Sequence, residues 1–457
     1  MARGIRLTVL IAAVLALAAT AIPASAGHSG DPKTNNVHPL GHIEEPASLL
    51  NPDVGNPDIH TDIAFWGRHA FQGTWLGFNI RDISSPGDPQ QISFTSCAGN
   101  QGDVLVWDNI VVRSWNTPAG TPGLFGAGLT CDGEAVPAGW EGVHVFDISD
   151  VSNPVLVDSV QTPCGSHTAT AVPDPANDRL LVYNSPSAHS ATNPNPPATC
   201  DWFDVIEVPL DDPGNSSYLR AEPAMHTCHD IGVILGDAMK AACAGGEGVR
   251  VFSLGGVNGG SLEDPLLLFH VTEPGVTIGH SAAWSWDGET IIFGHEPGGG
   301  VNAECEASDD PVKKSFFFYD GDNGTKLGQW TLTRAQGPQE NCSLHNYNIV
   351  PLRSGRDILV HGSYQSGTAV LDFTDLGAPV ELGWSDPPVI PVNPGQGFCQ
   401  PAGCDVAGAW SSYWYNNFIY ETNITEGLNI FRLSARETAG ALRLDHFNPL
   451  TQEFTLP

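Results

Sequence analysis

This chain is poor in positive charge. Only 19 Lys and Arg stand against 51 Asp and Glu, for a formal net charge of −32. Nucleic acid is therefore excluded as a partner, and so is an anionic membrane surface, since both need basic patches. The acids are spread through loops rather than run together as an acidic tail, which reads as solubility outside a cell. No segment beyond the first residues carries apolar side chains at helical spacing, so the chain is not built on helices. No second long apolar run follows the first, so no membrane span is expected. There is no Cys-x-x-Cys motif, which argues against thiol redox chemistry and zinc–sulfur sites. Hydrolase signatures are missing too: no Gly-x-Ser-x-Gly, no His-Glu-x-x-His and no Walker loop. Ser281 stands beside His280 in GHSAA, but adjacent strand residues point to opposite faces and make no nucleophile–base pair.

What is present begins with a secretory signal over residues 1–26. Arg3 and Arg6 form its charged start, LTVLIAAVLALAA its apolar stretch, and Ala24-Ser25-Ala26 a small-residue cleavage site. The expected product starts near Gly27 and is secreted, soluble and monomeric. Residues 27–37 are polar and read as a flexible N-terminus.

The remainder, 38–457, repeats one pattern. A strand opens with a polar residue, usually His. A second strand follows, then a third of the form Gly-x-x-x-x-Asp-Ile-Ser, then a fourth with an apolar centre. GVHVFDISDVSNPVLV, from Gly142, shows the third and fourth strands most clearly. Third strands recur near Phe78, Val145, Val205, Val251, Phe317, Val370 and Ile430. Repeats of roughly 40–50 residues, four strands each, predict an all-β, seven-bladed β-propeller of four-stranded blades. HPLGHIEEP matches the fourth strands elsewhere, so it is expected to complete the last blade as a closing N-terminal strand. Asp82, Asp147 and Asp372 end third strands and are assigned to turn formation there.

Ten cysteines in an exported chain favour disulfides. Cys97, Cys164, Cys228 and Cys342 precede innermost strands, whereas Cys131, Cys200, Cys243 and Cys305 fall between second and third strands. Both loop types share one face of a propeller. Sequential pairing is therefore expected: 97–131, 164–200, 228–243, 305–342 and 399–404. The long irregular segments Thr117–Trp140, Ser185–Cys200, Gly294–Lys313 and Ser385–Ala407 connect strands on that same face, where binding usually resides.

The last three blades, through GHSAAWSWDGETIIFGHEPGGG, ENCSLHNYNIVPLRSGRDILVHGSYQSGTAVLDFTD and GAWSSYWYNNFIYETNITEGLNIFRLS, resemble the LVIVD-repeat family of secreted and surface bacterial propellers. The resemblance covers nearly all of the mature chain. It implies the fold and no particular activity, since propellers host many.

The fold would gather the starts of the seven inner strands around one channel. Five begin with His: His60, His167, His229, His280 and His345. Asp103 stands at the matching place in blade two, and Trp410 near it in blade seven. His167, His229, His280 and His345 come from consecutive blades and are the candidate metal ligands, for Fe, Cu or Zn. The topology is similar to that of carotenoid-cleaving oxygenases and of methanethiol-oxidising selenium-binding propellers, whose channel His hold iron and copper; the local motifs of neither are present. A repeat-wide His can equally bond a neighbouring blade or channel water. His60, Asp103, His295, Glu296 and His361 are channel-face neighbours, with Glu421 at a matching strand end. Gly298-Gly299-Gly300 suggests close backbone approach or flexibility. Asp320-Gly-Asp322-Asn323-Gly324 is part of a calcium-loop pattern without its distal Glu, and reads as a tight turn. Trp410, Tyr413, Trp414 and Tyr415 form an aromatic cluster, mostly core.

Three functions follow. The leading one is a binding or interaction module, taking a protein, glycan or small-molecule ligand on the His-lined channel face. The alternative is a metal-dependent (Fe or Cu) oxidoreductase. The third is calcium-dependent glycan binding through acidic loops.

Overall fold

The computed structural model describes residues 29–44, 50–51, 56–120, 128–186, 200–300, 305–338, 340–388 and 407–457. Seven antiparallel sheets form a seven-bladed β-propeller. The inner strands are His60–Trp66, Gln101–Trp107, Thr168–Asp174, Ile231–Ile234, Gly279–Trp284, Tyr347–Ile349 and Ala409–Tyr415. The third strands are Gly77–Asp82, Gly142–Asp147, Trp202–Pro209, Gly248–Ser253, Ser315–Asp320, Thr368–Asp372 and Gly427–Leu433, each spanning its expected centre. Val37–Ile43 pairs with Gly427–Leu433, so the N-terminal strand is the outer strand of blade seven. Loose chain was expected up to Val37. From Lys33 on, however, the backbone is tied to blade six: Lys33 bridges to Ser385, and Thr34 donates its N–H to the Trp384 carbonyl.

The outer strands share one local irregularity. In every blade the pairing of third and outer strands slips by one residue, at a β-bulge. The skipped residues are Leu40, Ile92, Val157, Leu219, Leu268, Leu327 and Leu382, all aliphatic. A bulge sharpens the twist and re-aims the side chain it carries. Here it turns most of these aliphatics toward the inter-blade cores, as for Ile92, Val157, Leu219, Leu268 and Leu382. Each interface between neighbouring blades holds one such core, rich in inward-facing Val, Ile and Phe. Asp82, Asp147 and Asp372 each accept the backbone N–H two residues on, at 2.8–3.0 Å, and turn the chain toward the outer strand.

Four of the expected disulfides are formed: 97–131, 164–200, 228–243 and 305–342. The pair 399–404 lies outside the described residues. Cys243 lies within the second strand, Lys240–Gly245, rather than in the loop after it. These bonds point to an oxidising compartment. Among the described residues no helix is long and apolar enough to cross a membrane.

The end of the chain was expected within the repeats, and its separate course was not anticipated. After blade seven it runs across the channel at the ends of the inner strands, opposite the His-bearing starts. His446–Phe447 pairs with blade one, and Thr451–Gln452 runs parallel to the inner strand of blade four. Between them Asn448 exchanges both amide bonds with the backbone of Val106, at 2.7 Å each. The Thr451 hydroxyl donates to the Ala171 carbonyl, Gln452 Oε1 accepts from the Trp284 N–H, and the Leu456 N–H reaches the Trp286 carbonyl. This tail lines that end of the channel from blade one to blade five.

Candidate metal centre

At the opposite end, four imidazoles stand in a row. Ring centroids are 4.3 Å apart for His167–His229, 4.0 Å for His229–His280 and 4.1 Å for His280–His345. Each comes from the start of a successive inner strand, as the repeat requires. Facing the row is Glu296, which follows the second strand of blade five. Its Oε2 lies 3.8 Å from Nε2 of both His229 and His280, and its Oε1 lies 3.6 Å from Nε2 of His345. Two ligand atoms sharing a tetrahedral ion at about 2.0–2.1 Å would stand roughly 3.3 Å apart. The spacing is therefore within a small adjustment of coordination, and His229, His280 and Glu296 form the tight set. His345 approaches through the other carboxylate oxygen, and His167 ends the row.

The outer nitrogens are also engaged. His345 Nδ1 lies 2.6 Å from the Trp410 carbonyl. A carbonyl can only accept, so Nδ1 carries the proton and Nε2 keeps its lone pair for the centre. Asp230 stands behind the other two: Oδ1 is 3.2 Å from His229 Nδ1, and Oδ2 is 3.6 Å from His280 Nδ1. Tyr364 donates its hydroxyl to Glu296 Oε1 at 2.8 Å and packs on the His345 ring. Gly300, at φ +73°, brings backbone up to Glu296; a Cβ there would run into its carboxylate and the Tyr364 hydroxyl. Of the three glycines Gly300 thus serves close approach, whereas Gly298 and Gly299 supply left-handed turn backbone at φ +66°.

Burial governs the electrostatics. It pushes Glu296 and Asp230 up to about 8 each, and holds His229 and His345 down at about 3. His280 is lowered by burial and then by its neighbouring His. An ionised carboxylate buried with no cation is costly, so without a bound cation both groups are held toward their protonated forms. Side-chain exposure is 18% for His229 but 2% for His280 and His345. Solvent therefore approaches from the His167–His229 end.

The other candidates lie elsewhere. Asp103 faces Asp62, whose N–H it accepts at 3.3 Å, on the blade-one side of the channel; Asp62 in turn accepts from the Tyr413 hydroxyl. His60 is fully buried, and Arg81 and His42 add to burial in lowering its pKa. His295 faces Thr277 and the Val312 carbonyl, and His361 packs on Phe316 and Trp330 beside Ser363. Glu421 accepts from Thr368 and Asn429 within blades six and seven. Tyr413, Trp414 and Tyr415 are core, whereas Trp410 is half-buried beside His345. In the calcium-like loop, the Lys240 ammonium bonds Asp322 and the Gly321 carbonyl, and Asp320 caps the turn. A lysine already neutralises that loop. Reasoning from sequence missed Asp230, whose one signal is its place directly after His229.

His144 sits near Cys97 and Cys131, but disulfide sulfurs carry no thiolate for a metal. It stacks on Trp140 and bonds Ser159. Burial holds it down at about 3, against about 6.5 in an unfolded chain. As pH falls, the unfolded state takes the proton first. The stability His144 contributes is therefore complete above about 6.5 and drains away toward pH 3. His144→Phe is expected to lower the midpoint of acid unfolding by roughly a few tenths of a pH unit, followed by tryptophan fluorescence. A midpoint that rises would refute the assignment.

No family model matches the chain, and no curated protein matches it in sequence. Among solved structures, a protein from Lactobacillus plantarum is 12% identical, covering 87% of this chain and 97% of its own, with a TM-score of 0.50. The N-terminal domain of Nup159 is 10% identical over 89% of this chain and 98% of its own, with a TM-score of 0.46. The computationally designed Ika8 protein is 11% identical over 82% and 96%, with a TM-score of 0.41. The first likeness is one of fold alone, and the other two are weaker still.

Proposed function

We propose that this protein is an exported propeller of the LVIVD-repeat type that holds one divalent transition metal at its channel mouth, through His229, His280, His345 and Glu296. The observation that carries this reading is the convergence of three Nε2 atoms on one buried carboxylate, with acceptors behind their Nδ1 atoms. Nitrogen and carboxylate donors without thiolate suit Fe, Cu or Zn. Fe or Cu held by these four residues would support redox chemistry on a small molecule. Zn would act as a Lewis acid.

Elemental analysis of the mature, tag-free protein tests this beside a His229→Ala/His280→Ala double variant. About one transition metal per chain, lost in the variant, is the expected result. No metal in either protein after reconstitution would refute it. That outcome would favour the interaction-module reading, which rests on the described disulfides all stapling the His-bearing face and which predicts dispensable His.

A further inference from the structure

Between two of these imidazoles stands a group with no role so far. Asp230 is 1% exposed and faces Nδ1 of His229 with one oxygen and Nδ1 of His280 with the other. Among the described residues His280 Nδ1 has no hydrogen-bond partner, and Asp230 is the acceptor within its reach. Resting on the metal reading above, we propose that Asp230 is the positioning residue that holds His229 and His280 together as Nε2 ligands.

The argument is one of acceptors. Each imidazole must carry its proton on Nδ1 for Nε2 to offer a lone pair. Here the two N–H groups face different terminal atoms of one side chain, Oδ1 for His229 and Oδ2 for His280, so both atoms must accept. Those of a carboxylate do; a carboxamide has one accepting oxygen, and its NH2 repels the second N–H. Closing the gap at His280 from 3.6 Å to hydrogen-bond length would draw the ring into register when the ion binds. His345 takes its orientation from the Trp410 carbonyl instead, so it does not depend on Asp230.

Asp230→Asn tests this, with Asp62→Asn as the control. Asp62 is a buried channel carboxylate that touches no site imidazole, so its loss removes the same charge without the same bonds. The probe is Cu2+ alone, titrated into metal-free protein and followed by electron paramagnetic resonance. Asp230→Asn is expected to weaken binding about 10–100-fold and to reduce the nitrogen hyperfine pattern by one imidazole. Asp62→Asn should stay within about threefold of wild type. Equal affinity and an unchanged spectrum in Asp230→Asn would overturn the assignment, as would equal losses in both variants. If Asp230→Asn does not fold, the wild-type Cu2+ complex still decides. Its remote imidazole nitrogens, read by spin-echo envelope modulation, should divide into two carboxylate-bonded and one carbonyl-bonded; three alike would overturn the proposal. Wild-type protein that takes up no Cu2+ removes the parent reading, and this one with it.

Discussion

Deleting residues 444–457 is expected to cost the fold at least about 3 kcal/mol, although the segment forms no blade of its own. Phe447 and Leu456 are 5% and 7% exposed, and burying a Phe or Leu stabilises by about 1.5–3 kcal/mol each. The deletion also strips partners from backbone groups of the inner strands and of the turns that follow them. Val233 and Leu235 lose the carbonyls of Leu450 and Gln452, Gly67 loses that of Asp445, and Val106 loses the Asn448 amide. Water entering the channel would recover part of that loss, so the apolar term sets the floor. Denaturant unfolding of the truncated protein beside wild type measures the effect. A difference under about 1 kcal/mol would mean that the tail is dispensable packing.

Replacing Arg113 by Met should cost about 3–5 kcal/mol, the largest expected effect of a single side chain. The guanidinium is fully buried between blades one and two. It donates to the carbonyls of Thr74, Gly77, Gly99 and Ser114, at 2.7–3.2 Å. Burial lowers its pKa to about 10, against the pull of Asp58 and Asp103, so it stays charged at neutral pH. Methionine fills much of the volume and supplies no donor. Buried carbonyls then lose their partners, and Asp103 is left with Asp62 and Asp230, both of which raise its pKa further. Calorimetry of Arg113→Met would show the loss. A variant as stable as wild type would mean that the carbonyls find water instead.

The His row was legible because a repeat places equivalent residues at equivalent points in space. Once the register of the third strands is known, His167, His229, His280 and His345 must share one rim. Glu296 was legible only as a neighbour, since its direction depends on the bend through Gly298 and Gly299, and a glycine run does not reveal its own path. Asp230 was invisible for a related reason. Adjacent strand residues should point apart, but His229 and Asp230 precede the regular strand Ile231–Ile234, so both side chains reach the same centre. His295 and His361 satisfied the same sequence pattern, yet their rings turn into the blades. The tail escaped because its two paired segments are two residues each, too short to carry any period.

The two ends of the chain close the ring in different places, one at the rim and one in the channel, and neither closure is covalent among the described residues. Three disulfides lie in blades two, three and four, and Cys305–Cys342 ties blade five to the approach to blade six. None crosses the seam between blades seven and one. Under tension applied from its termini, the molecule would part first at Val37–Ile43 and the tail, at low force. The arc carrying His167, His229, His280 and His345 keeps its inter-blade cores and would bear load after that seam had opened. A protein tethered at one end on a cell surface could thus lose its ring closure and keep its row of imidazoles in place.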